Sequence, residues 1–291
     1  MRLLYLFLPL LSLSYCARPI PAFAPAERSV EAADTVSFAN TSEGATSYRW
    51  DFGNGETSTE SEPAIRYFQS GDYQVSLTAT NEKGKSRTTT QTINVTPPKE
   101  CLIRIETPQG DMLARLYDAT PQHQDNFVKL AQENFYDSLL FHRVIEGFMI
   151  QGGDPDSRGA GPNDRLGSGG PGYQVPAEFD PGLAHVKGAL AAARTNNPQK
   201  LSSGSQFYIV QGRPVTEADL NRQEAQTGVR YPSEVREMYL ERGGTPFLDQ
   251  NYTVFGIITE GLDVIDKIAA VATGAGDRPQ QDVPMKISLV R

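Results

Sequence analysis

The chain has 291 residues, enough for about two domains, and its 38% hydrophobic and 21% charged residues are typical of globular proteins. The formal net charge of −8, with no basic stripe to offset it, argues against a nucleic-acid partner. The three histidines and two cysteines include no pair at metal-ligand spacing, so we expect no structural zinc.

Residues 1–15 predict a secretory signal peptide. Arg2 precedes an apolar run from Leu3 to Leu13, and this run is too short to span a bilayer. The tetrapeptide Leu13-Ser14-Tyr15-Cys16 then resembles a bacterial lipobox. The resemblance implies that Cys16 becomes the lipidated first residue of the mature protein.

The predicted location of the protein follows from that cysteine. A lipid at Cys16 implies a membrane-anchored protein of the bacterial cell envelope, and Ala17, which is not an acidic retention signal, favours the outer membrane facing the periplasm. The alternative is ordinary cleavage after Ala24, because Ala22-Phe23-Ala24 has the A-x-A pattern of a cleavage site. Residues 16–28 contain three prolines and no periodicity, which predicts an extended, lipid-anchored tether.

From residue 29 to residue 96 the pattern changes to short alternating runs. Tyr48, Trp50 and Phe52 share one face of a strand, and Asn54-Gly55 is typical of a tight hairpin turn. Several such runs in succession predict a small all-β sandwich.

The same region resembles a PKD domain. The resemblance rests on Trp50-Asp51-Phe52-Gly53-Asn54-Gly55 and on Gly71-Asp72-Tyr73 downstream. It implies a spacer or a module that contacts a glycan or a protein. No histidine or cysteine occurs in 29–96, which argues against catalysis there.

Pro97-Pro98 marks a joint, after which residues 99–291 alternate strands with two clear helices. The first helix is predicted to follow Thr120-Pro121, a cap and a first-turn proline. The second is predicted near Leu262–Ala269, which has one apolar face. These patterns favour a mostly antiparallel β-structure with two packed helices.

Residues 141–154 carry the most specific motif of the chain, Phe-His-Arg-Val-Ile-Glu-Gly-Phe-Met-Ile-Gln-Gly-Gly-Asp. The block resembles the central motif of cyclophilins, the peptidyl-prolyl cis–trans isomerases, and the similarity covers 102–291. It implies a mainly β protein in which the PKD-like sandwich precedes a closed eight-stranded antiparallel β-barrel capped by two α-helices. It also implies that the substrates are proline-containing polypeptides and that no cofactor is used.

The chemistry expected of such a protein needs one cation and an apolar grip. Rotation about an X–Pro bond breaks amide conjugation, a barrier of about 18–20 kcal/mol. The half-rotated prolyl nitrogen regains a lone pair, so a fixed guanidinium stabilises the transition state more than the ground state. The resemblance assigns that catalytic role to Arg143, and it places Gln206, in Ser205-Gln206-Phe207-Tyr208-Ile209, beside the arginine.

The resemblance also assigns the grip on the proline ring and the orientation of the peptide. Strict strand alternation puts Met149 and Gln151 on one face and Phe148 on the other, so the role of Phe148 rests on the resemblance alone. The substrate-binding residues are Phe148, Met149, Gln151, Ala193, Arg194, Tyr208, Phe247, Leu248 and Tyr252.

Three of these residues depart from the best-known cyclophilins. Tyr208 replaces a phenylalanine, Phe247 a tryptophan and Tyr252 a histidine. None of these changes removes the cation or the apolar grip, so we expect activity to remain. The Tyr208 hydroxyl needs a polar partner at the pocket floor.

Two stretches exceed a minimal cyclophilin. The first, 154–178, is rich in glycine and proline, which predicts a long surface loop. The second, 212–246, is predicted to hold a helix that Ser233 caps behind Pro232, and it joins the strand of Tyr208 to the loop of Phe247. Each is either a gate over the groove or passive covering.

Two functions are compatible with these patterns. The first is an isomerase that assists folding of exported proteins in the bacterial envelope. The alternative is a non-catalytic module that binds proline peptides, or surface glycans and proteins. Arg143 favours the first, because a pure binding module does not require this cation.

Overall fold

The computed structural model describes residues 18–291, so Cys16 and the signal segment lie outside the described residues. The chain divides into two compact units, the first ending at Pro97 and the second spanning Pro98–Val290. Within residues 18–291, no helix combines the length and the apolar character needed to cross a bilayer.

The first unit is built from eight strands in two sheets. The strands are β1 (Phe23–Pro25), β2 (Ser29–Glu31), β3 (Thr35–Asn40), β4 (Ser47–Asp51), β5 (Thr57–Ser58), β6 (Ala64–Arg66), β7 (Gly71–Thr80) and β8 (Ser86–Thr96). One sheet has the order β1-β3-β6 and the other β2-β8-β7-β4-β5. The alternating sequence pattern is the reason, because every second side chain of a strand faces the core.

An aromatic cluster forms the core of this unit. Trp50 is fully buried, and its ring lies 5.1 Å from Phe23 and 5.6 Å from Phe38. The indole N–H of Trp50 donates to the Glu60 carbonyl at 2.9 Å, and the Tyr67 hydroxyl donates to the Phe52 carbonyl at 3.0 Å. The polar atoms of these buried rings are therefore satisfied.

The predicted tether over 16–28 differs from the structure in its second half. Phe23–Pro25 pairs antiparallel with β3, and Ile20 forms a bridge with Glu43. Phe23 is only 4% exposed. The prolines that favoured a tether are tolerated because β1 is an edge strand, where a missing N–H breaks no ladder.

The second unit contains eleven strands, four α-helices and three short 3₁₀ turns. The strands are β9 (Leu102–Thr107), β10 (Gly110–Leu116), β11 (Leu139–Leu140), β12 (Arg143–Ile145), β13 (Met149–Gly152), β14 (Gln174–Val175), β15 (Ala189–Ala192), β16 (Ser202–Ser203), β17 (Phe207–Val210), β18 (Val254–Glu260) and β19 (Pro284–Leu289). The helices are α1 (Pro121–Gln132), α2 (Glu217–Thr227), α3 (Ser233–Arg242) and α4 (Leu262–Ala269), and the 3₁₀ turns are Pro155–Ser157, Pro246–Leu248 and Ala275–Asp277.

The main sheet has nine strands in the order β11-β19-β9-β10-β18-β15-β17-β13-β12. Its two end strands are neighbours in the chain, separated only by Phe141 and His142. The sheet therefore curls back on itself around a core that includes Ile105, Phe127 and Phe207. The expected closed eight-stranded barrel differs in strand number, because the segment 139–145 is broken into β11 and β12, and no pairing joins these two among the described residues.

Helices α1 and α4 pack their apolar faces on this sheet, with Phe127 and Leu130 buried from α1 and Ile265 and Ile268 from α4. Thr120 occupies the N-cap of α1, but its hydroxyl donates to the Tyr117 carbonyl and does not cap the helix.

A distant glutamate caps α1 instead. The Glu178 carboxylate accepts the backbone N–H groups of Gln122 and His123 at 3.1 and 3.0 Å. It also accepts from His123 Nδ1 at 2.6 Å. An anion at a helix N-terminus is stabilised by the free N–H groups and the helix dipole.

The segment 212–246 contains two helices, not the one expected. Pro232 is the N-cap of α3 and Ser233 its first residue, so Ser233 does not cap it. The unexpected helix, α2, begins with a reciprocal capping box between Thr216 and Asp219 and ends at Gly228, whose φ is +75°. These two signals were present in the sequence.

Candidate active site

Three strands place the central polar residues side by side. Arg143 of β12 is opposite Gln151 of β13, and Gln151 is opposite Tyr208 of β17. Ala191 of β15 is the next partner in this row. Directly opposed residues on neighbouring strands lie within side-chain contact, so the register brings these residues to one surface.

A small cavity of about 120 Å³ lies on this surface, and we call it the central cavity. It is lined by Arg143, Phe148, Met149, Gln151, Ala193, Arg194, Tyr208, Leu248 and Tyr252, all of which the sequence predicted as site residues. Phe148 reaches it although strand alternation points it away. It lies just before β13, after Gly147, whose φ of +73° turns the backbone there.

Arg143 is the half-exposed cation of the central cavity, with 41% of its side chain accessible. Its Nε donates to Asp277 Oδ2 at 3.2 Å. Within residues 18–291 this is the only hydrogen bond that its side chain makes. The terminal nitrogens of the guanidinium therefore remain available to a ligand in the cavity.

The second predicted catalytic residue, Gln206, lies behind Gln151 and outside the central cavity. Its Oε1 accepts from Gln151 Nε2 at 3.1 Å, and its own Nε2 donates to the Gly169 carbonyl at 2.8 Å. Gln206 thus orients the cross-strand neighbour of Arg143 and links it to the 154–178 segment. It does not line the central cavity.

Gln206 instead lines a larger cavity of about 450 Å³, the loop cavity, whose outer wall includes Gly167, Gly169 and Tyr173. The loop cavity and the central cavity share Gln151, Ala193 and Arg194. The two cavities are therefore neighbours on the same surface.

The 154–178 segment is held by hydrogen bonds at both sides. Asp154 accepts the backbone N–H groups of Asp156 and Gly167, and Arg278 Nη1 donates to the Gly161 carbonyl at 2.7 Å. His142 lies under this segment, 4% exposed, and neither of its ring nitrogens has a partner among the described residues. Burial lowers its pKa, which favours the neutral ring.

Phe247 lies at the rim and not inside the central cavity. It is 57% exposed, and its ring centroid is 5.8 Å from that of Phe148. The 3₁₀ turn Pro246–Leu248 is the reason, because it directs Leu248 inward and leaves Phe247 outside.

Tyr252 lies on the opposite side of the cavity. It packs edge-on against Tyr208 at 5.8 Å, and the Arg194 guanidinium lies 4.7 Å from its ring centre. Arg194 Nε also donates to the Asn251 carbonyl at 2.8 Å. The cation–π contact therefore fixes the wall in the place where the family often has histidine.

The Tyr208 hydroxyl has the polar partner that its burial requires, namely His185 Nε2 at 2.9 Å. His185 Nδ1 lies 2.6 Å from Asp249 Oδ1. Since a carboxylate only accepts, Nδ1 carries the proton. Burial raises the pKa of Tyr208 well above its usual value, and the nearby Tyr252 and Asp249 add to the shift.

Two tyrosines from the 212–246 segment complete this network. Asp249 Oδ2 accepts the hydroxyls of Tyr231 at 3.0 Å and Tyr239 at 2.5 Å. Burial raises the pKa of both tyrosines, and the Asp249 carboxylate adds to the shift. We call these five residues, Tyr208, His185, Asp249, Tyr231 and Tyr239, the floor network.

Sequence reasoning missed the floor network apart from Tyr208. Asp249 was visible in the Phe247-Leu248-Asp249 motif, but His185 is 64 residues away from it. The one sequence signal was the replacement of phenylalanine by Tyr208, which required some polar partner. Among the described residues, no cluster of three or more His, Cys, Asp or Glu side chains is arranged to hold a metal ion.

Comparisons with known proteins identify the families that this chain matches. The family described as cyclophilin type peptidyl-prolyl cis-trans isomerase/CLD matches residues 102–289, and a PKD domain family matches residues 16–97. A protein of Staphylococcus epidermidis named as a peptidyl-prolyl cis-trans isomerase is 40% identical over 185 residues, which are 63% of this chain and 88% of that protein.

Two further proteins are similar to part of this chain. A Streptococcus pyogenes protein named as a bifunctional phosphatase/peptidyl-prolyl cis-trans isomerase is 40% identical over 193 residues, 65% of this chain but only 38% of that protein. A solved Cryptosporidium parvum cyclophilin type isomerase is 23% identical with a TM-score of 0.48, covering 65% of this chain and 97% of that one. From the family match over 102–289, the chain belongs to the cyclophilin-type peptidyl-prolyl cis-trans isomerases, and it carries an N-terminal PKD domain.

Proposed function

We propose that the second unit isomerises X–Pro bonds in exported polypeptides, with Arg143 as the catalytic cation. One observation carries the proposal. Arg143 lines the same 120 Å³ cavity as the apolar Phe148, Met149 and Leu248. A proline ring held by the apolar side chains has its nitrogen within reach of the guanidinium.

The free terminal nitrogens of Arg143 account for selectivity toward the transition state. In the planar prolyl amide the nitrogen lone pair is conjugated with the carbonyl, so the nitrogen cannot accept a hydrogen bond. In the twisted amide the lone pair is free and the nitrogen can accept one. The donor gains its acceptor only at the twisted geometry, which is the condition for lowering the barrier. Gln151 and Gln206, which are hydrogen-bonded to each other, are placed to orient the peptide in the groove.

Turnover separates an enzyme from a binding module. The protein, at about one hundredth of the concentration of an Ala-Pro peptide, is mixed with peptide whose cis fraction has been perturbed. A catalyst speeds the return to equilibrium, which otherwise takes tens of seconds, without changing the final cis:trans ratio. A module that only binds leaves the rate unchanged and shifts the ratio only near equal concentrations. That second outcome would exclude the enzyme.

We further propose that the mature protein begins at Cys16, is anchored there by lipid, and works in the bacterial envelope. The packing of Phe23 supports this choice over cleavage after Ala24. Cleavage after Ala24 removes Phe23, whose ring is 4% exposed and packs on Trp50. Loss of a buried phenylalanine side chain costs about 3–5 kcal/mol, so the PKD-like unit would be destabilised.

Mass spectrometry of the protein purified from membranes tests this address. The expected mature N-terminus is an acylated Cys16. Cys16→Ser removes the thiol that carries the lipid, so the variant should be unprocessed or soluble, because stable anchoring requires acyl chains. A mature N-terminus at Pro25 would refute lipidation.

We propose that the PKD-like unit serves as a spacer or as a contact for protein or glycan.

A further inference from the structure

A third cavity adjoins the site on the side away from the loop cavity. We call it the outer cavity; its volume is about 540 Å³. Phe148 lines both the outer and the central cavity, and the largely exposed Phe247 lines the outer cavity. The opposite wall comes from Arg213 and α2, that is, from the 212–246 segment that a minimal cyclophilin lacks.

The base of that segment is fixed relative to Phe148. The Phe148 carbonyl accepts the backbone N–H groups of Gln211 and Gly212, each at 3.0 Å. Arg213 and Gly244 exchange backbone hydrogen bonds, with Gly244 N donating at 2.9 Å and Arg213 N at 3.3 Å. The backbone of Arg213 is therefore held at a defined place beside the rim of the central cavity, and its side chain is exposed.

Arg213 is also the unpaired cation of the outer cavity. Within residues 18–291 its guanidinium makes no ion pair, whereas Arg222 on the same wall is paired with Asp219 at 3.2 Å. Asp219 Oδ2 additionally accepts from the backbone N–H and the hydroxyl of Thr216. The one carboxylate of the wall is thus already neutralised, and the cavity keeps a net positive charge.

We propose that the outer cavity is a substrate subsite that receives an acidic side chain lying within two residues of the isomerised proline. The inference rests on the proposed function. Phe148 lies between the two cavities, so the acidic side chain and the proline ring are separated by about one aromatic side chain and its contacts. Two extended residues span about 7 Å, which is roughly that width. Arg213 supplies the charge.

Matched peptides test the subsite. Every peptide in the panel contains an Ala-Pro core. The two members of each pair differ only in having Glu or Gln at one of the two positions that precede or follow this core. For each peptide, Kd is measured by fluorescence anisotropy and kcat/KM by exchange NMR at low ionic strength. At one position the Glu peptide should bind about two- to fivefold more tightly than its Gln twin, the size expected of a partly exposed ion pair.

Charge variants of the full chain show whether Arg213 causes the preference. Arg213→Gln should bring the Glu:Gln ratio of Kd values to about one, and Arg213→Glu should invert it. Arg230→Gln is the matched control, because Arg230 belongs to the same segment, is 80% exposed and does not line the cavity. It should leave the ratio unchanged.

The outcomes separate the subsite from the proposed function. Equal Kd values for every Glu and Gln pair with the wild-type protein overturn the subsite. A Glu preference that survives Arg213→Gln overturns the role of Arg213. If no peptide is isomerised, the proposed function fails, but the Kd ratios still decide whether the subsite exists.

Discussion

The two sides of the central cavity are built in opposite ways. On one side Arg143 and its partner Asp277 are 41% and 45% exposed and share one hydrogen bond. On the other, His185 and Asp249 are 0% and 3% exposed and are hydrogen-bonded to each other, and three tyrosine hydroxyls converge on the pair. Arg143, to which we assign the contact with the substrate, keeps free donors, whereas the His185–Asp249 pair behind the cavity wall has none left.

This difference separates the residues that stabilise the fold from the residue to which we assign catalysis. An exposed ion pair contributes little to folding, so Arg143 is replaceable without loss of the fold. A buried carboxylate with its partners is costly to break. Asp249 follows Leu248 of the cavity wall and binds the tyrosines of α3 and its leading loop, so it joins the 212–246 segment to the pocket.

The largest effect on stability is expected at Asp249. Asp249→Ala leaves the His185 imidazole and the hydroxyls of Tyr231 and Tyr239 without their acceptor, so the free energy of unfolding should fall by about 3–5 kcal/mol. Urea unfolding measures it. Asp263→Ala, which removes an exposed helical pair with Lys267, is the control and should change stability little. Equal effects of the two variants would contradict the comparison.

A smaller effect is expected at Tyr208. Tyr208→Phe removes only the hydroxyl that bonds His185 Nε2, so stability should fall by about 1 kcal/mol. Because the ring keeps its place in the cavity wall, kcat/KM should change little. Urea unfolding and exchange NMR on one preparation check both values. A large loss of kcat/KM would show that the hydroxyl acts on the substrate.

The smallest expected effect is the pH dependence of the free energy of unfolding. It arises from His123 and His142, two histidines outside the floor network whose pKa values are lowered. Burial lowers the pKa of His123 and of His142 below the usual value of about 6.5. The unfolded chain therefore takes up protons first, so the free energy of unfolding should fall as pH drops below about 6.5. Urea unfolding at pH 7.5 and 5.5 should show this, with a weaker dependence in His142→Gln. An unchanged dependence would mean that His142 titrates normally.

The sequence predicted the parts of the site that lie close together in the chain. The 141–154 motif, whose resemblance to cyclophilins assigned both residues, forms a hairpin in which Arg143 faces Gln151. Phe247 and Gln206 were assigned to the same site but line neighbouring cavities, because a 3₁₀ turn and a hydrogen bond to Gly169 decide their orientation.

The long-range parts were not accessible to pattern reasoning. The pairing of His185 with Asp249 and the capping of α1 by Glu178 join residues more than fifty positions apart. The first β-strand of the PKD-like unit was hidden by its prolines, which suggest a tether unless the strand is known to lie at an edge. The fold class followed from periodicity and motif together, whereas the split of 139–145 into two strands did not.

The most direct test of the account is the rate of cis–trans exchange of an Ala-Pro peptide with the Arg143→Ala protein. Loss of the guanidinium should cost about 2–4 kcal/mol of transition-state stabilisation, on the order of a hundredfold in kcat/KM. The thermal midpoint should stay close to that of the wild type, because the Arg143–Asp277 pair is half-exposed. An unchanged exchange rate in the folded variant would contradict the assignment of catalysis to Arg143.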